Sequence, residues 1–101
     1  MNTHVYKYCF DDSVDLDEAE LTLHLAIHAA EGLYGEALVR MEVGYRRDDG
    51  QRCLYIDGAT DVGQAVVRVF TAFTIKEFGS TAFTVSSAPR VRPAEELAMA
   101  M

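Results

Sequence analysis

The chain has 101 residues, half of them hydrophobic and a quarter charged, which is the size and composition of one globular domain with one core. Nine Lys and Arg face 16 Asp and Glu, and a net charge of −7 argues against nucleic-acid binding, which depends on basic side chains neutralising phosphates. No stretch approaches roughly 18 uninterrupted apolar residues and the first ten residues lack the marks of a secretory leader, so we expect neither membrane partner nor export, but a cytoplasmic protein.

Residues 4–10 begin the pattern as a strand, with Tyr6, Tyr8 and Phe10 on one face and Val5, Lys7 and Cys9 on the other. Asp15 is placed to cap a first helix, with Glu18 spaced to complete a capping box. The stripe Leu16, Leu23, Ala26, Ile27, Ala30 and Tyr34 predicts the face that this helix buries. Gly32 and Gly35 are the candidate stops, because glycine accepts the left-handed cap conformation.

Residues 36–47 alternate, with Ala37, Val39, Met41, Val43 and Tyr45 facing one way and Glu36, Leu38, Arg40, Glu42 and Arg46 the other. Period two predicts a half-buried antiparallel strand. Asp48-Asp49-Gly50 then predicts a hairpin turn, with Gly50 supplying positive φ, and residues 52–57 return as the second arm. Thr60 or Asp61 opens a second helix, with Asp61 and Gln64 spaced as a capping box and Val62, Ala65, Val66, Val69, Phe70 and Phe73 as its core stripe. Residues 65–75 are rich in β-branched and aromatic types, which favour a strand, but the helical period, the cap and the uninterrupted length point to a helix. Gly79 ends it, and residues 81–86, containing Phe83 and Val85, form a last strand.

The resulting order is β-α-β-β-α-β. That is the split-βαβ, ferredoxin-like pattern of an α+β domain, an antiparallel sheet with two helices on one face. The domain is expected over residues 1–87, followed by a tail over 88–101. In the tail, Pro89 and Pro93 bracket Arg90-Val91-Arg92, and two helical turns follow if a surface is there to receive them.

Four constellations carry possible chemistry. Glu20, His24, His28 and Glu31 share one side of the first helix at i, i+4, i+8 and i+11, a spacing from which two histidines and two carboxylates can reach a metal. The plainer reading is a solvated polar face, since no HExxH signature is present and no cofactor is expected. Leu21, Leu25 and Ala29 make a second apolar strip on the same helix, more than a small core can absorb. Val67, Ile75 and Phe78 are a similar surplus on the second helix. Cys9 and Cys53 lie on neighbouring strands and on one face, and are read as reduced structural thiols. Asp57-Gly58 precedes a helix start and could expose N–H groups to an anion, although an ordinary strand-to-helix turn has the same composition.

No nucleophile motif, phosphate loop or dinucleotide fingerprint is present. The expectation is a non-catalytic interaction module acting as a homo-oligomer, a dimer foremost, through Leu21, Leu25 and Ala29. The alternative is a small-molecule or metal-binding domain, or a small enzyme, using the His24/His28 face or an open sheet face carrying Lys7, Arg40, Glu42, Arg46 and Tyr55.

Overall fold

Alternation along the first strand decides which way the sheet faces. In the computed structural model, which describes residues 5–88, β1 (Val5–Phe10) buries Tyr8 and Phe10 and leaves Val5, Lys7 and Cys9 on the opposite, partly open side. β3 (Cys53–Asp57) does the same with Leu54 and Ile56, which sit opposite Tyr8 and Tyr6 in an antiparallel ladder. β2 (Tyr45–Asp48) and β4 (Phe83–Ala88) complete an antiparallel sheet of order β2-β3-β1-β4.

Three helices, α1 (Leu16–Tyr34), α2 (Glu36–Glu42) and α3 (Asp61–Phe78), join this sheet in a mixed α+β domain. Between the helices and the sheet, Leu16, Leu23, Ala26 and Ala30 of α1 meet Val62, Val66, Val67 and Phe70 of α3 over the Tyr8, Phe10, Leu54 and Ile56 face. Tyr8 is the centre of that layer, with Phe70 edge-on at 4.8 Å and its hydroxyl 2.6 Å from Thr71 Oγ1. Burial raises the Tyr8 pKa.

The caps match the chain chemistry, with some differences in detail. The Asp15 carboxylate accepts from the Asp17 N–H at 2.9 Å. Gly35, not Gly32, stops α1, with φ 88° and its N–H on the Glu31 carbonyl. Thr60 rather than Asp61 caps α3, its hydroxyl oxygen accepting from Gly63 N–H at 2.9 Å. The core stripe of α3 is rotated by about one position from the predicted one. Val67, read as surplus, is buried, whereas Ala65, Val69 and Phe73 are only half-buried.

The largest correction concerns residues 36–47. Glu36–Glu42 is a helix, and the strand is confined to Tyr45–Asp48. Glu, Ala, Leu, Arg and Met are all strong helix formers, and over seven residues alternation cannot outweigh that preference. Val39 alone is buried and anchors α2, while the Val43 N–H closes the turn on the Val39 carbonyl. The described residues therefore hold three helices, not two, and Arg40 and Glu42 lie off the sheet.

The β2–β3 turn also differs. Positive φ falls on Arg52, at 59°, and not on Gly50. A non-glycine residue there costs free energy. Arg52 offsets it by donating from its guanidinium to the carbonyls of Asp11 and Val14, tying the turn to the start of α1.

Cys9 and Cys53 are joined in a disulfide, which corrects the reading of two reduced thiols. They face each other in the β1–β3 register, with Cα atoms 4.2 Å apart. The neighbouring Phe10 N–H bonds the Arg52 carbonyl, so the cysteines occupy the close, non-hydrogen-bonded kind of pair. Closing a loop across 44 residues constrains the unfolded chain by about 4 kcal/mol on the chain-entropy estimate. Of the predicted tail, residues 89–101 lie outside the described residues.

Candidate functional site

β2 is an edge strand of only four residues, and one of its side chains fastens it to α1. Arg47 projects to the helix side, where its Nη1 donates to Asp17 at 2.7 Å and to Glu20 at 2.8 Å, while its Nε donates to Asp49. Three carboxylates around one guanidinium raise its pKa further above its ordinary value. Two positions back, Tyr45 donates its hydroxyl proton to the other oxygen of Glu20 at 2.7 Å. His24 stands edge-on to the Tyr45 ring with Nε2 3.1 Å from the hydroxyl oxygen. Because the single Tyr45 proton goes to Glu20, His24 is the donor in that contact.

The electrostatics follow from these bonds. The Tyr45 hydrogen bond, followed by Arg47, lowers the Glu20 pKa. Desolvation, reinforced by the Glu20 carboxylate, pushes the Tyr45 hydroxyl up to about 12, so it remains a donor at neutral pH. Arg47 donates to three carboxylates, Tyr45 is protonated and Glu20 is occupied on both oxygens. The cluster holds β2 against α1.

The predicted metal set is divided by this arrangement. Glu20 and His24 belong to the clamp, whereas His28 pairs with Glu31 at 3.2 Å on exposed helix surface. Among the described residues, no three His, Cys, Asp or Glu side chains come together as a metal shell. Tyr45 and Arg47 are the clamp members that sequence reasoning missed as partners. Their alternate positions on β2, facing helix positions 17, 20 and 24, were obscured once residues 36–47 were drawn as one strand.

The clamp makes acid sensitivity a testable property. Glu20 has a lowered folded pKa, so its contribution is present above the unfolded value of about 4.3 and is lost as pH falls through the folded value. Glu20→Gln is expected to lower stability at neutral pH by on the order of 1 kcal/mol or less, given solvent screening. It should also flatten the loss of stability below about pH 4.3. Urea unfolding across pH 3–7 (a range set by these pKa values) measures both; parallel wild-type and variant curves would remove Glu20 from the clamp's energetics.

The second feature is apolar. Leu21 and Leu25 are 61% and 53% exposed, and Ala29 continues their row on the outer face of α1. Leu25 borders an open groove of about 270 Å³ between α1 and α3, completed by Thr22, Phe73, Lys76 and Glu77. Thr22 Oγ1 lies 2.9 Å from Glu77 Oε1 and bridges the two helices at its floor. A further exposed group, Leu33, Tyr34, Leu38 and Met41, surrounds the α1–α2 junction. Tyr34 and Met41 had been placed toward the core by periods that Gly35 interrupts.

On the far side of the sheet, Arg46, Tyr55, Lys7 and Ser86 form one cross-strand row. The Arg46 guanidinium sits 4.2 Å from the Tyr55 ring centroid, and Lys7 Nζ 5.7 Å from it. The disulfide lies in the next row, between Asp48 and Thr84.

The Asp57-Gly58 turn is closed by its own chain. Ala59 N–H is taken by the Asp57 carboxylate, Gly63 N–H by Thr60, and the Gly58 carbonyl by Gln64 Nε2. No helix among the described residues is long and apolar enough to cross a membrane.

No protein-family model, curated protein or solved structure matches this chain.

Proposed function

We propose that this chain is a small, non-catalytic interaction module that pairs with a second copy of itself through the outer face of α1 and α3. The observation that supports this reading is the exposure of Leu21 and Leu25 beside the apolar groove. A contact around a two-fold axis is self-complementary. Leu21 of each copy then seats against the other's groove, and the Lys76 and Glu77 rim supplies opposite charges that pair crosswise. Each leucine withdrawn from water contributes roughly 1.5–3 kcal/mol before the cost of association is subtracted, which suits a dimer of moderate affinity. We also assign the strand order β2-β3-β1-β4, with its split β-α-β halves, to the ferredoxin-like arrangement, with α2 as an addition after α1.

The expected result is a dimer by light scattering for the wild type and a folded monomer for Leu21→Glu with Leu25→Lys. Both side chains project into solvent in the single chain, so charge there should leave circular dichroism unchanged. A wild type that stays monomeric at high concentration sinks the reading, as does a variant that unfolds. The rival, a ligand site on the open sheet face, has a smaller polar floor than expected because Arg40 and Glu42 belong to α2.

A further inference from the structure

We propose that the Cys9–Cys53 pair is a thiol–disulfide exchange site of the folded protein, entered at Cys9 by low-molecular-weight thiols. The bond joins the two central strands of the sheet on the face that none of the described helices covers. Its two cysteines are not equivalent. Cys53 is only 1% exposed, under the β2–β3 turn, whereas Cys9 is partly exposed on β1 between Cys53 and Thr84. A thiolate attacks along the S–S axis, so the sulfur of the more exposed residue, Cys9, is the one attacked and that of the buried Cys53 is the leaving group.

The buried side is furnished to receive that leaving group. Cys53 Sγ lies 3.2 Å from the Gln51 carbonyl oxygen. In the disulfide that sulfur carries no proton; once released and protonated, its S–H donates to this carbonyl in place. The register of β1 on β3 does not depend on the bond, because the ladder from Val5–Asp57 to Tyr8–Leu54 continues beyond it.

The exchange balances in two steps. The thiolate of a thiol R–SH attacks Cys9 Sγ, the Cys9–Cys53 bond breaks, and the electron pair leaves on Cys53 Sγ, which takes a proton to give R–S–S–Cys9 and a Cys53 thiol. A second R–SH attacks the R sulfur, releasing R–S–S–R and the Cys9 thiol. The pair gains two electrons and two protons, and two small thiols are oxidised. This inference is independent of the proposed dimer, since it concerns the opposite face of the sheet.

The test uses the full-length chain and glutathione. Brief treatment of the native disulfide form with reduced glutathione, followed by acid quench, alkylation and peptide mass analysis, should place the glutathione adduct on Cys9. In the single variants, oxidised glutathione should modify Cys9 of Cys53→Ser about tenfold or more faster than Cys53 of Cys9→Ser, a difference set by access. The difference should vanish in urea. Adducts shared equally between the cysteines in the native wild type, or a bond reduced only after denaturation, would overturn the proposal. So would a wild type that keeps two free thiols in oxidised glutathione. The wild-type mapping decides the question even if a single variant folds poorly.

Discussion

Phe70→Ala is expected to cost about 3–5 kcal/mol of folding free energy, the range for deleting a fully buried aromatic side chain. Phe70 has no exposed surface and stands edge-on to Tyr8, itself fully buried and packed against Phe83. Its removal deletes one wall of the aromatic group that joins α3 to the two sides of β1. The layer cannot simply collapse into the space, because Tyr8 is tethered by its hydroxyl to Thr71 and α3 is capped at both ends. A domain of this size has on the order of 5–15 kcal/mol of stability, so the loss should show as a large drop in urea midpoint with an unchanged slope. A loss below about 1 kcal/mol would mean that α3 does not pack in this register. Val69, only half-buried, tolerates alanine far better, which separates the observed stripe from the one that periodicity suggested.

Gly63→Ala is expected to destabilise by about 1–3 kcal/mol even though alanine is the better helix former. A Cβ on Gly63 meets the Asp57 carbonyl oxygen at 2.4 Å and Gly58 Cα at 3.2 Å. Both obstacles are backbone, so relief requires moving the first turn of α3 away from the end of β3. The contrasting position is Gly32, inside α1, where a Cβ meets nothing within 4 Å. Gly32→Ala should stabilise by about 0.5–1 kcal/mol, the helix-propensity difference alone. Thermal unfolding of the pair checks the signs; a stabilised Gly63→Ala would show that the helix is not seated this close to the strand.

How much of this was legible in the chain follows from the length of each signal. The long helices were readable because their caps and glycine stops agree with a period sustained over 18 or 19 residues. The mixed α+β class followed from them. Residues 36–42 were misread because seven residues carry both periods, and the alternation hid a helix-forming composition that follows directly on Gly35, the end of one helix and the start of the next. The Leu21, Leu25 and Ala29 row was legible, and its exposure follows from the α1 face that the core takes. The Arg47 clamp was not. It depends on where a four-residue strand begins, and a one-residue shift of register sends every side chain to the other face. The cysteine alignment could be seen from the predicted strands, but the bond depended on a direct cross-strand register that composition does not reveal.

The position of β1 has a consequence for the making of the protein. Among the described strands it comes first in chain order, yet its two neighbours are β3 and β4, the third and fourth. Its β3 side can be paired once residue 57 has emerged, but its other side waits for residues 83–88. From the emergence of β1 until that of β4, therefore, a strand of sequence VYKYCF holds open backbone donors and acceptors along one edge, the condition under which neighbouring nascent chains pair with each other. A chain interrupted before residue 83 retains that edge, so slow elongation ahead of β4 prolongs the interval in which the edge is open to other chains.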